Sequence, residues 1–116
     1  MRIKEVNEEK IIFDNGNYIW FDHDQDCCEW NYADFLNLTK QNIFYNYDFD
    51  TELEFEFIEG MGFRFGSNGH WIFIPCYSEQ NGYYTDEIDI YYYSYQATKE
   101  RNNEPYLHGI CQFVYC

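Results

Sequence analysis

The stretch Asp22-His23-Asp24-Gln25-Asp26-Cys27-Cys28-Glu29 places an imidazole, two thiols and a run of carboxylates within eight residues. Imidazole and thiolate are the side chains that zinc prefers. His23 with Cys27 or Cys28 therefore forms half of a candidate structural zinc site, and Asp24, Asp26 or Glu29 could orient the imidazole from behind. The remaining ligands are expected from His108, Cys111 or Cys116 near the C-terminus. No pair has the CxxC spacing of a zinc knuckle. His108 and Cys111 are three apart, which puts them on opposite faces of a strand unless Gly109 bends it. The competing reading is packing, because cysteine is among the most buried residue types and behaves as a small hydrophobe.

Other chemistries fit less well. Asp22, Asp24 and Asp26 alternate as in a calcium loop, but the glycine at the sixth position and the glutamate at the twelfth are missing. A Cys27–His23 nucleophile would sit among carboxylates that raise a thiol pKa rather than lower it. The sequence has no phosphate-cradling glycine loop, no serine elbow and no HExxH motif. The expectation is a protein that is not an enzyme.

Charge narrows the class further. Acidic residues number 21 against 7 basic ones, a formal net charge of −14. Such a chain is repelled by nucleic-acid phosphate and by anionic membranes, and it is steered toward basic protein surfaces. The same charge keeps an aromatic-rich domain soluble. No apolar signal-peptide core follows Met1 and no segment has the length of a membrane span. The expected location is the host cell cytoplasm, with the five cysteines reduced.

These residues need a scaffold, and the pattern reads as mainly β, with α+β as the alternative: an antiparallel sheet, sandwich or partial barrel of about six to eight short strands with at most one short helix, in a single domain spanning 1–116. Aromatics form 23% of the chain and favour pleated surfaces. Residues 10–23 read as a hairpin around Asp14-Asn15-Gly16-Asn17. Glu52-Leu53-Glu54-Phe55-Glu56-Phe57 alternates strictly, with Leu53, Phe55 and Phe57 on one face and the glutamates on the other. Ser67-Asn68-Gly69 and Asn81-Gly82 are further turns. Trp71–Ile74 is an apolar run ended by Pro75, Ile88–Tyr95 is a tyrosine-dense strand, and Ile110–Tyr115 is the last strand. Cys28–Leu38 is the one segment with helix-like apolar spacing. Tyr83 and Tyr84 follow a turn and offer interface anchors, as do Tyr91 and Tyr93 on their strand and Glu52, Glu54 and Glu56 on theirs.

The segment His23-Asp24-Gln25-Asp26-Cys27-Cys28-Glu29 after a hairpin strand resembles a motif of a family of small phage and bacterial proteins of unknown function. In that family a strand with Trp-x-Phe precedes Ser-Asn-Gly-Tyr-Tyr-Ser; Trp71-Ile72-Phe73 and Gln80-Asn81-Gly82-Tyr83-Tyr84-Thr85 are similar. The resemblance covers residues 10–35 and 70–90, brings no established activity, and implies a phage or prophage setting. In character, though not in motif, the chain also resembles anti-CRISPR proteins. The function expected from these readings is a phage-encoded acidic inhibitor that binds a basic surface of a host defence nuclease such as a CRISPR effector. Antiviral defence evasion would then rest on protein–protein contact. The alternative is a small zinc- or ligand-binding accessory domain.

The zinc expectation is tested by elemental analysis and a thermal melt with and without chelator. Stoichiometric zinc and a lower melting temperature on chelation are expected, because a metal held only by the folded state adds its binding energy to stability. Metal-free protein with unchanged melting would leave the cysteines as packing residues.

Overall fold

The fold was analysed in a computed structural model, which describes residues 1–22, 29–40, 45–82, 85–95 and 104–115. Among these residues ten strands follow in chain order: β1 Ile3–Val6, β2 Lys10–Phe13, β3 Tyr18–Asp22, β4 Trp30–Ala33, β5 Glu54–Ile58, β6 Gly62–Ser67, β7 His70–Gln80, β8 Glu87–Tyr93, β9 Leu107–Ile110 and β10 Gln112–Tyr115. They form two five-stranded sheets without closing a barrel. The first sheet runs β1-β2-β3-β8-β9, antiparallel throughout. The second is built around β7, which pairs with β6 along its first half and with both β4 and β10 along its second, while β5 lies beyond β6. The β7–β10 pair is parallel. The fold is mainly β, as the alternation implies, and no helix among the described residues is long and apolar enough to cross a membrane.

The inward rows of the two sheets share one core. The first sheet contributes Ile3, Ile11, Phe13, Ile19, Ile88, Ile90 and Tyr92; the second contributes Phe63, Phe65, Ile72, Ile74 and Cys76. Rings meet across the gap: Phe13 and Phe65 lie edge to face at 6.4 Å, and Phe55 and Tyr92 are 5.7 Å apart. Tyr92 brings a hydroxyl into this layer, and its polarity is met locally. It donates to the Thr51 carbonyl at 2.7 Å and accepts from the Asn17 amide at 3.0 Å. Burial pushes its pKa up to about 12.

The turns follow their sequences. Asn68 and Gly69 both take positive φ, 53° and 79°, which a two-residue hairpin between β6 and β7 requires. The β2–β3 hairpin closes through Gly16 N–H to the Phe13 carbonyl at 3.0 Å.

Three expectations change. Cys28–Leu38 is not one helix. Trp30–Ala33 is a strand paired with β7, and a short 3-10 helix, Phe35–Lys40, follows it. The i, i+3 pair Phe35 and Leu38 is buried on one side of that helix, so a strand followed by a tight helical turn mimics helical spacing. Pro75 does not end its strand. It sits where β7 passes from β6 to its other partners, where a missing N–H is tolerated, and its carbonyl still accepts the Asp34 N–H at 2.8 Å. The last strand is two strands: β9 in the first sheet and β10 in the second, with Cys111 at the break.

Gly109 on β9 lies under the Phe57 ring, and a Cβ there would come within 2.1 Å of that ring. Gly109→Ala should destabilise by about 1–3 kcal/mol through overpacking, and Phe13→Ala by about 3–5 kcal/mol through the cavity it leaves. Chemical denaturation measures both. A Gly109→Ala variant as stable as the parent would mean that β5 and β9 do not pack this closely.

Candidate functional site

Because β-strand side chains alternate, the strands that bury the first sheet's inner row turn a second row outward. On β3 the outward residues are Tyr18, Trp20 and Asp22; on β8 they are Glu87, Asp89, Tyr91 and Tyr93. The antiparallel register sets Tyr18 opposite Tyr93, Trp20 opposite Tyr91 and Asp22 opposite Asp89. The result is an aromatic ladder. Tyr18 and Tyr93 are stacked at 5.1 Å with planes 14° apart, and Trp20 and Tyr91 at 4.4 Å and 16°. Tyr95 meets Tyr93 edge-on at 5.1 Å, and the Lys10 ammonium lies 4.3 Å above the Tyr18 ring.

The ladder grades into carboxylates. Asp22 and Asp89 are direct cross-strand neighbours. His108 on β9 is the next residue in that row. Its Nδ1 lies 2.6 Å from Asp89 Oδ1 and its Nε2 3.5 Å from Glu87 Oε1. The hydrogen bond to Asp89 raises the imidazole pKa above its ordinary value, with Glu87 acting in the same direction against partial desolvation. The phenol of Tyr91 is also pushed up, first by burial and then by Asp89 and Asp22.

The sequence-derived candidates divide among several places. Tyr91 and Tyr93 are in the ladder. Glu54 and Glu56 point outward from β5, on the far side of the molecule, and Glu52 is exposed just before that strand. The two candidate faces therefore belong to different sheets, Glu54 and Glu56 to the second and Tyr91 and Tyr93 to the first. Glu56 is moreover occupied: Arg64 Nη2 lies 3.2 Å from it, and that guanidinium stacks 4.4 Å over Trp71. Tyr83, Tyr84, His23, Cys27, Cys28 and Cys116 lie outside the described residues.

His108 and Cys111 do not come together as ligands of one ion. His108 is exposed against Asp89, whereas Cys111 is buried beside Cys76. They point to opposite sides of the chain, as their spacing implies. Contact with Cys111 and burial push the Cys76 thiol well up, so Cys76 is packed rather than poised as thiolate. Among the described residues no group of three His, Cys, Asp or Glu side chains is arranged to hold a metal ion.

Tyr18, Trp20, Glu87 and Asp89 are the site residues that sequence reading did not single out. Their outward alternation is visible in Tyr18-Ile19-Trp20-Phe21-Asp22, but only the β3–β8 register joins that row to Tyr91 and Tyr93.

A family model described as a domain of unknown function, DUF7448, matches residues 1–90. The chain belongs to the DUF7448 family. The match runs from β1 into β8 and so includes Tyr18, Trp20, Asp22 and Asp89, while β9 with His108 lies beyond it. No curated protein and no solved structure matches the chain.

The geometry around His108 has a pH signature. A pKa raised by folding contributes stability that is fully present below the unfolded value, near 6.5, and is lost as pH rises through the folded value. NMR titration should place the His108 midpoint above 6.5, and Asp89→Asn should lower it. A midpoint unmoved by Asp89→Asn would show that the Nδ1–Asp89 bond does not set it.

Proposed function

We propose that the protein acts by binding a basic protein surface through the outer face of its first sheet, and that it serves as an acidic inhibitor of a phage-targeting host nuclease. One observation carries the reading: the stacked ladder Tyr18–Tyr93 and Trp20–Tyr91 on a solvent-facing sheet, continued by Asp22, Asp89 and Glu87. Rings that are prearranged by stacking bring large contact area at little entropic cost, and Trp and Tyr dominate binding hot spots. The carboxylates beside them and the net charge of −14 favour a cationic partner and accelerate encounter. A nuclease groove lined with Lys and Arg to hold phosphate presents such a surface. An acidic protein that covers it would compete with the nucleic acid.

The test uses a purified RNA-guided effector nuclease as the probe, with binding measured over a salt series. Trp20→Ala and Tyr91→Ala should each weaken binding about thirtyfold, the effect of losing a hot-spot residue. Glu54→Lys combined with Glu56→Lys, on the opposite face, should leave affinity within about twofold, as for an uninvolved surface. Affinity should fall as salt rises. Loss of binding in the Glu54/Glu56 variant with none in Trp20→Ala would move the interface to the second sheet. Affinity independent of salt would remove the basic-partner reading.

A further inference from the structure

Beside the ladder, a cleft of about 510 Å³ opens between the two sheets. Glu8, Glu9, Trp20 and Asp22 line it from the first sheet, and Trp30 and Asp34 line it from β4 and the chain just after it. We infer that this cleft is an arginine-binding pocket, which takes the guanidinium of one arginine side chain of the partner protein. The inference rests on the basic-partner reading above and specifies which cationic group that partner must present.

The chemistry selects a cation. Among the described lining residues are four carboxylates and two indoles, against one cationic side chain, Lys10, whose ammonium is already placed over the Tyr18 ring. Tryptophan is the best aromatic partner for a cation, and carboxylates supply charge-assisted hydrogen bonds. Both indoles are held in advance: Trp20 is stacked on Tyr91 at 4.4 Å, and Trp30 on Tyr32 at 4.2 Å. Tyr32 is fixed in turn by its hydroxyl, which donates to Glu79 at 3.4 Å. Neither ring has to be ordered when a ligand arrives, so little of the contact energy is lost to entropy.

The chain itself shows which cation suits this set. On the second sheet, the Arg64 guanidinium lies over the Trp71 ring at 4.4 Å while its Nη2 meets Glu56 at 3.2 Å. The cleft assembles the same two components, indole and carboxylate, with no arginine among its described lining residues. A planar guanidinium stacks on indole and bonds carboxylate through a fixed fork, whereas a lysine ammonium is a compact, strongly hydrated charge that cannot stack.

The test is an NMR titration of the isotope-labelled full chain with end-blocked Gly-Arg-Gly, Gly-citrulline-Gly and Gly-Lys-Gly. The three tryptophans give three indole N–H signals. Saturable shifts of Trp20 and Trp30 by the arginine peptide are expected, with Trp71 still. Citrulline, isosteric but neutral, should bind about tenfold more weakly, and lysine should fall between them. Trp30 is 52% exposed, so Trp30→Ala leaves the core filled and should abolish the Trp20 response. Equal responses to arginine and citrulline, or none at Trp20 and Trp30, overturn the pocket. If the arginine peptide moves Tyr91 and Tyr93 but not Trp30, the pocket falls and the basic-partner reading stands. If no cationic peptide moves either group at low salt, both fall.

Discussion

The molecule depends on a layer of rings closed between two sheets. Phe13 touches Phe49, Phe65 and Tyr92 edge to face, and Phe55 joins Phe65, Tyr92 and Tyr106. Each of these residues is on the inward row of its strand or on a segment folded over the gap. Hydrophobic burial is nondirectional, but edge-to-face contact is not, and the rings set how the sheets approach. The layer also dictates the surface. Once every second residue is committed inward, the alternate residues must face water, and their chemistry is free to serve a partner.

The second sheet holds together through one strand. β7 alone reaches β6, β4 and β10, and the chain end laces the sandwich by leaving the first sheet at Cys111 and joining β7 in the second. Polar side chains are buried where β4 meets this strand. The Asn31 amide donates to the carbonyls of Thr85 and Glu87 at 3.0 and 3.1 Å. Ser78 donates to Asn31, and Gln80 donates to Ser78 and to the Thr85 carbonyl. These bonds tie the chain leading into β8 to the second sheet. A buried network that is satisfied in this way favours a single arrangement over slipped ones.

The two outer faces share their acidity and differ in how it is used. On the second sheet the Glu56 carboxylate is met by Arg64, and Arg64 by Trp71. On the first sheet Asp22 and Asp89 oppose each other, with one half-exposed imidazole beside them. The first sheet sets these carboxylates, with Asp89 bonded to His108, beside a ladder of stacked rings. That difference is why the proposed interface lies on the first sheet and not on the outward glutamates of β5.

Much of this was legible in the amino-acid order. The alternation of Glu52–Phe57, the Asn-Gly turns and the aromatic content are local properties, and they determined the β class, the β2–β3 and β6–β7 hairpins and the outward glutamates. The apolar spacing of Cys28–Leu38 misled, because period alone does not separate a strand plus a 3-10 turn from a helix. Pro75 and Cys111 misled because a strand's end depends on which neighbour it has, and neighbours are not local. The candidate site was half visible: Tyr91 and Tyr93 could be placed on a strand face, but Tyr18 and Trp20 are more than seventy positions away in the chain, on a strand brought alongside only by the β3–β8 register. Composition determined that the protein is acidic and aromatic. Only tertiary structure decided that the rings stack, that the glutamates of β5 lie on the other side of the molecule, and that His108 meets Asp89 while Cys111 turns inward. The physical reason is that side-chain direction is set by each strand's own pleat, whereas side-chain company is set by pairing between strands that the chain order does not specify.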